Sequence, residues 1–273
     1  MRKGVFYRLA AAILLILGII CAVWAGSRLY EQAEEAKRMD DLRKEAGRRD
    51  VAFGITSADY PASSELEHWE EEIVPIDFSA LRKVNPDIYA WITIPGTQID
   101  YPILQKETGP QDYYLYHDVD GELSAGGSIY TENLNKKDFS DPNTVIYGHN
   151  MKDGTMFREL HRFREKDFFD RTAEIYIYTP GHRLTYQVFS AYESDDRHIL
   201  KTFDFSDREE FVLYLEEALH PRSLNVMKRD GVTVTVEDKI ITLSTCIGKD
   251  YARYLVQAVL KEDLSSEMSL NDR

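Results

Sequence analysis

Cysteine is scarce. The 273-residue chain holds two, Cys21 and Cys246. Cys21 lies inside an apolar run near the N-terminus, so Cys246 has no disulfide partner in the rest of the chain, and a disulfide framework is excluded. Metal-ligand spacing is missing too: the seven histidines are scattered, and no Cys/His cluster has the pattern of a zinc site. The acidic pairs Asp118/Asp120 and Asp195/Asp196 read as solvated faces. There is no glycine-rich phosphate loop, and no metal or other cofactor is expected. Positive charge is in short supply: 33 Lys and Arg against 47 Asp and Glu leave a net charge of −14. No basic cluster stands outside the residues flanking the apolar run, which excludes nucleic acid as a partner. Internal repeats and β–α–β alternation are absent as well, which removes solenoids and doubly wound parallel sheets.

The sequence has one long hydrophobic stretch. Arg2, Lys3 and Arg8 precede an uncharged run over residues 9–25. At ~1.5 Å per residue the run covers roughly 25 Å, close to a bilayer core. Trp24 and Tyr30 suit the interface. The basic residues ahead of the run predict a cytoplasmic N-terminus with the rest of the chain outside. A cleaved signal peptide, cut after Ala25, is the alternative. Residues 27–49 are rich in Glu, Lys, Arg and Ala and predict a helical stalk. Residues 50–64 read as a loop and residues 65–72 as a short acidic helix. The expected organisation is a cytoplasmic N-terminus (1–8), a transmembrane signal-anchor (9–26), a stalk and linker (27–76) and one catalytic domain (77–273). That domain, at roughly 200 residues, is ample for a single core.

Within it, short apolar or alternating runs dominate. Strands are expected over residues 89–94, 99–104, 128–131, 144–147, 175–178, 184–192, 240–245 and 253–260. Pro102 suggests an edge or bulge. Pro180 and Gly181 form a hairpin turn between Thr179 and His182. Residues 77–81 start a short helix that ends before Pro86. A longer helix is expected over residues 155–169, with Met156, Phe157, Leu160, Phe163 and Phe168 as its apolar set. Ser206 and Glu209 form a capping-box signature that opens a helix with Phe211, Val212, Leu215 and Leu219 inward, ending before Pro221. The alternating run Val232, Val234, Val236 leads through a polar turn into residues 240–245. Eight short strands with a few inserted helices predict a mainly β, small closed or half-closed barrel; an α+β sandwich is the alternative.

Cys246 stands at or just past the end of the strand 240–245. A strand end holds a side chain rigidly while leaving it open to attack a substrate. A lone thiol is either a buried small hydrophobe or a reactive group, and counting cysteines does not choose. A reactive thiol needs a base or a cation nearby. His149 closes the strand 144–147 through Gly148 and opens a helical segment, a strand-to-helix corner that suits a catalytic acid or base. By position alone a surface loop histidine is the commoner reading. His117 and His182 read as structural, and His161 and His198 carry no motif.

The run TLSTC (residues 242–246), followed by an arginine on the next strand, resembles the signature of sortases. GHNMKDGTMF (148–157) resembles the class B form of the sortase histidine motif. NPDIYAWITIPGTQIDYPILQ (85–105) and YYLYHDVDGELSAGGSIY (113–130) also resemble class B sortases, and the elements fall in that family's order. The resemblance runs from about residue 85 to residue 260, and the joint occurrence of the three motifs is highly specific. The chain departs from many class B members in one respect: six residues separate Cys246 from Arg253, where the family loop is often longer.

The resemblance implies the eight-stranded sortase barrel, with the helix before Pro221 between its sixth and seventh strands, and an uncleaved signal-anchor in a Gram-positive membrane. It implies cysteine transpeptidation at a C-terminal sorting signal. Cys246 is then the nucleophile, His149 the acid and base, and Arg253 a permanently charged donor to the oxyanion or to substrate carbonyls. Thr245, through backbone or hydroxyl, and Ser244 support the substrate or oxyanion. The implied partners are exported proteins bearing the sorting signal, and peptidoglycan or its lipid-linked precursor as amine acceptor. Two other readings stay open: a pilin-polymerising enzyme with a lysine acceptor, and an inactive membrane-anchored binding module.

Overall fold

The computed structural model describes residues 2–47, 74–248 and 251–265. The loop and short acidic helix expected over residues 50–72 lie outside the described residues. Contacts divide the chain into two units, Met1–Glu45 and Ala46–Arg273.

The first unit is one helix, α1 (Arg2–Glu45), so the apolar run and the charged stretch after it form a single uninterrupted rod. It is long and apolar enough to cross a membrane. Its large apolar side chains, including Leu14, Leu15, Val23 and Trp24, are exposed. Further along, the surface turns charged, with Asp40–Arg43 at 3.0 Å and Asp41–Lys44 at 3.1 Å one turn apart. Pairs of this kind add only a few tenths of a kcal/mol each.

The second unit is a barrel. Its strands are β1 (Ile88–Thr93), β2 (Asp100–Leu104), β3 (Ile129–Thr131), β4 (Asn143–Tyr147), β5 (Glu174–Thr179), β6 (His182–Asp195), β7 (Val226–Lys228), β8 (Ile240–Cys246) and β9 (Ala252–Ser265). Neighbours run in the order β5-β1-β2-β3-β4-β8-β9-β6, and pairing of β5 with β6 closes the ring at eight strands. Closure removes the unpaired backbone edges that an open sheet would expose. The β2–β3 and β4–β8 pairs are parallel, and the other pairs are antiparallel. β7 lies outside the ring, on β6.

Side chains alternate across each strand. Ile103, Ile146, Ile241, Leu243 and Val256 fill the barrel and are buried. Among the described residues four α-helices decorate it: α2 (Phe78–Val84), α3 (Lys166–Arg171), α4 (Ile199–Thr202) and α5 (Arg208–Leu219). Asp77 caps α2 by accepting from the Ala80 N–H at 2.9 Å, and the helix stops at Asn85, whose freedom is limited by Pro86. α5 lays Phe211, Tyr214, Leu215 and Ala218 on the outer face of the barrel, against Val145, Tyr192, Leu255 and Val259. A buried polar network ties it down. The Thr242 hydroxyl lies 2.9 Å from Tyr214 Oη, Asn143 Oδ1 and Gln257 Oε1. Gln257 Nε2 donates to Tyr214 Oη at 2.8 Å and Tyr192 Oη at 3.2 Å. A buried polar group left without such partners costs about 1–3 kcal/mol, so the network fixes where α5 sits over β8.

The expected strands are all present, and several local readings are corrected. The helix expected over residues 155–169 is broken: a 3-10 helix spans Arg158–Arg164, and α3 follows after an extended Glu165. The aromatic run Phe163, Phe168, Phe169 is buried on two short axes rather than along one. The cap of α5 is Asp207, which accepts from the Glu209 N–H at 2.8 Å; Ser206 instead donates to Asp204. Val212 is exposed and Tyr214 takes the inward place. Val232, Val234 and Val236 do alternate in burial against the α5 core, yet residues 232–236 pair with no strand. The ladder there belongs to β7, ahead of them. β2 is not an edge. β3 pairs only with Ile103 and Leu104, so Pro102 sits beyond the two-sided part of the ladder, where its missing N–H is tolerated. β9 runs past residue 260 to Ser265 because its polar end pairs with the start of β6 as an exposed ribbon.

Candidate active site

Three strand ends meet where β4, β8 and β9 leave the barrel. Cys246 is the last residue of β8 and pairs directly across the antiparallel ladder with Arg253, near the start of β9. Paired residues project to the same face, so thiol and guanidinium share the outer face of the sheet. On the other side of β8, Tyr147 is level with Ser244, and Gly148 extends the ladder by one bond, its N–H donating to Ser244 O at 3.2 Å. His149 is therefore level with Cys246. All three side chains are partly buried.

Gly148 is required at this corner. A Cβ there would sit 2.5 Å from Ile129 Cδ1 and 2.8 Å from the Phe157 ring. His149 then turns off the sheet, and its Nε2 lies 2.7 Å from the Leu115 carbonyl. A carbonyl only accepts, so the proton of the neutral ring is on Nε2, and Nδ1 is the atom free to take or give one. Leu115 ends the 3-10 turn Tyr113–Leu115, which packs on Gly127. At φ 54°, a Cβ on Gly127 would fall 2.5 Å from Leu115 O and 2.6 Å from Tyr114 O. Only glycine lets the carbonyl that holds His149 come so close.

Around the thiol, the outer face carries Tyr130 and Tyr147, ring centroids 5.4 Å apart, and Ser244, which is buried. Burial first, then the nearby Glu132 carboxylate, pushes both phenols well up; the Arg253 guanidinium opposes this. Thr245 is on the opposite face by strand alternation, buried opposite Tyr254. Its hydroxyl points away from the thiol.

Two residues without an assigned role in the sequence contact Cys246. Asn150 Nδ2 donates to the Cys246 carbonyl at 2.8 Å, and His161 Nε2 donates to the same oxygen at 3.0 Å. Burial, and next the Arg164 charge, lower the His161 pKa, keeping the ring neutral with its proton on Nε2. Asn150 stands inside the histidine motif, and that adjacency was the available signal. His161 lies twelve residues past His149 in a 3-10 turn, where periodicity reveals nothing.

Three other histidines are occupied elsewhere. His117 stacks on Tyr113 with centroids 3.8 Å apart, His182 pairs with Asp263 at 2.8 Å, and His198 contacts Glu132 at 3.0 Å. Asp118 closes a turn by accepting from the Asp120 and Glu122 N–H groups at 2.9 Å, and Asp195 is held by both arms of Arg197. Among the described residues no group of three or more His, Cys, Asp or Glu side chains could hold a metal ion.

The chain is similar to known proteins in sequence and in fold. The family described as Sortase domain matches residues 92–261. Sortase B of Listeria monocytogenes serovar 1/2a is 34% identical over 253 residues, covering 90% of this chain and 94% of that protein. Sortase B of Staphylococcus aureus is 34% identical over 176 residues, 64% of this chain and 70% of the relative. Among solved structures, sortase B from B. anthracis in complex with AAEK1 is 32% identical with a TM-score of 0.67, over 86% of this chain and 99% of that one. The Staphylococcus aureus sortase B–substrate complex is 27% identical with a TM-score of 0.68, over 85% and 99%.

Proposed function

We propose a residue-level reaction on one premise: this chain belongs to the sortase family, as a sortase B-type cysteine transpeptidase. Cys246 Sγ, as thiolate, attacks the carbonyl carbon of a threonine in a C-terminal sorting motif. Arg253 donates hydrogen bonds to the oxyanion that forms. His149, protonated at Nδ1, gives that proton to the leaving amine as the C–N bond breaks, and a thioester remains on Cys246. An incoming amine of peptidoglycan or its lipid-linked precursor then attacks the thioester. His149 takes its proton, the C–S bond breaks, and the thiolate returns. Thr245 contributes through its backbone, since its hydroxyl faces the barrel.

The observation that carries this reading is the register: Cys246 opposite Arg253 on one side, and His149 level with it on the other. The test is to incubate the full chain with a library of threonine-containing peptides and an amine acceptor, and identify cleaved bonds and adducts by mass spectrometry. Cleavage after threonine with an acyl mass on Cys246 is expected. Cleavage without an adduct on Cys246, or after another residue, overturns the scheme.

The Leu115 carbonyl should matter to the proton transfers because it fixes which nitrogen of His149 is free. Gly127→Ala is expected to displace it and to lower kcat by roughly tenfold, the cost of a small misplacement of a reacting group. Steady-state kinetics on the library-selected peptide check this, and an unchanged kcat shows that the carbonyl contact is dispensable.

The proposed location rests on α1 and on the basic residues ahead of its apolar stretch. Residues 9–26 form the anchor, with residues 1–8 cytoplasmic, residues 27–76 as stalk and linker, and the catalytic domain 77–273 on the outer surface. Arg2, Lys3 and Arg8 ahead of an unbroken apolar helix support this orientation. The native protein should remain in the membrane fraction with its N-terminal residues intact by mass. A mature N-terminus near Gly26 would identify a cleaved signal peptide instead.

A further inference from the structure

The β4–β8 ladder stops one residue before the thiol is reached, and two side chains continue it. Along β8 the carbonyls of Ser244 and Cys246 point the same way, toward β4, because backbone groups alternate. Ser244 O receives the Gly148 N–H at 3.2 Å. Had β4 continued, the next bond would run from the Asn150 N–H to Cys246 O. The chain instead leaves the sheet after Gly148, and the His149 ring turns to the Leu115 carbonyl. Asn150 substitutes its side-chain amide for its own backbone, with Nδ2 donating to Cys246 O at 2.8 Å. His161 fills the carbonyl's second acceptor position at 3.0 Å.

Each donor is itself held. Arg158 Nη1 donates to Asn150 Oδ1 at 3.0 Å, which fixes the amide with its nitrogen toward Cys246. An isolated bridge between Asn150 and Met156, and the Phe157 N–H donating to His149 O at 2.8 Å, close the loop between them. The His161 ring packs on Tyr254, centroids 5.1 Å apart, and the Arg164 guanidinium lies over the same Tyr254 ring at 4.7 Å from its centroid. Tyr254 follows Arg253 in β9, so the same contact ties His161 to the strand bearing the guanidinium.

We propose that Asn150 and His161 are positioning residues for the nucleophile: together they hold the Cys246 carbonyl, and through it the thiol, in register with His149 and Arg253 after β4 has turned away. This rests on the reading of Cys246 as nucleophile. Neither residue touches the reacting atoms. Their effect should therefore fall on the chemical step and spare both substrate binding and the intrinsic reactivity of the thiol.

The test uses the full chain in detergent, with the threonine-containing peptide selected above as substrate. His161→Phe keeps a ring against Tyr254 and removes the donor, whereas His161→Gln keeps an Nε2 donor at similar reach. For His161→Phe, kcat should fall about tenfold with little change in KM, as expected for a sub-ångström misplacement. His161→Gln should recover most of that loss. Alkylation of Cys246 by iodoacetamide, read by mass spectrometry, should stay within about twofold of wild type in both variants, because thiol reactivity follows thiolate fraction and access. Asn150→Ala, at a partly exposed position, should show the same selective loss in kcat and supplies the test if His161→Phe does not fold. Wild-type kcat in both His161→Phe and Asn150→Ala overturns the proposal. So does an equal loss in His161→Phe and His161→Gln, which would indicate packing, or a parallel fall in alkylation, which would indicate a change in the thiol itself. Turnover that survives Cys246→Ala, by contrast, defeats the nucleophile assignment on which the proposal stands.

Discussion

Cys246→Ala should reduce transpeptidation by roughly 10⁴- to 10⁶-fold, the range seen when a nucleophile that works as part of a unit is deleted. The reason is chemical: the acyl group has nowhere to form a covalent bond, and the remaining donors can only polarise a carbonyl that no group attacks. The chain has no substitute, because its other thiol, Cys21, lies in the apolar stretch of α1. Folding should be spared, since Cys246 is partly exposed at a strand end and alanine keeps the backbone pairing with Arg253. The measurement is product formation from the library-selected peptide, alongside iodoacetamide labelling of wild type, where Cys246 should be the modified residue in the catalytic unit. Turnover by the alanine variant within a hundredfold of wild type would sink the assignment.

Arg253→Lys should cost on the order of 10²- to 10³-fold in kcat, the usual penalty for removing one oxyanion donor. Charge is retained, so a purely electrostatic role would survive the change. A planar fork presents two parallel N–H groups, whereas an ammonium is a compact, strongly hydrated point donor. Arg253 reaches the site from the residue directly opposite Cys246, a short baseline that leaves little room for a longer or differently angled side chain to compensate. Because the oxyanion exists only in the transition state, kcat and kcat/KM should fall together. A lysine variant with near wild-type kcat would show that the oxyanion is held by other donors and that Arg253 serves the fold.

What the sequence makes legible is set by how locally each feature is encoded. β8 and β9 are readable because burial on both faces demands long apolar runs, and the polar turn and Gly248 punctuate them. Cys246, His149 and Arg253 are readable because TLSTC, GHNM and the arginine each lie within a few residues of a strand end. Thr245 illustrates the limit of a motif: adjacency to Cys246 suggests a shared role, and strand alternation sends its side chain to the other face. His161 and the Leu115 carbonyl are invisible in sequence for another reason. Their contacts with Cys246 and His149 span 85 and 34 residues and involve backbone oxygens, which no residue type advertises. The run Val232, Val234, Val236 shows that alternation reports burial and not pairing. The broken helix over residues 155–169 shows apolar spacing overruled by the backbone: an extended Glu165 splits it into a 3-10 helix and α3.

The ring order of the barrel has a consequence for how the enzyme comes into being. Strands β1 to β6 pair among themselves as β4-β3-β2-β1-β5-β6, leaving β4 and β6 as the two open edges. The hairpin β8–β9, last of the barrel strands in chain order, fills the gap and is the keystone of the barrel. Its pairings are of long range, Asn143 with Ile240 and His182 with Ser265, the kind that form late and slowly. Cys246 and Arg253 ride on that keystone, while His149 follows β4, one of the edges it must join. The three residues proposed for the reaction therefore meet only when the barrel closes, and a chain that stops before β8 has neither Cys246 nor Arg253.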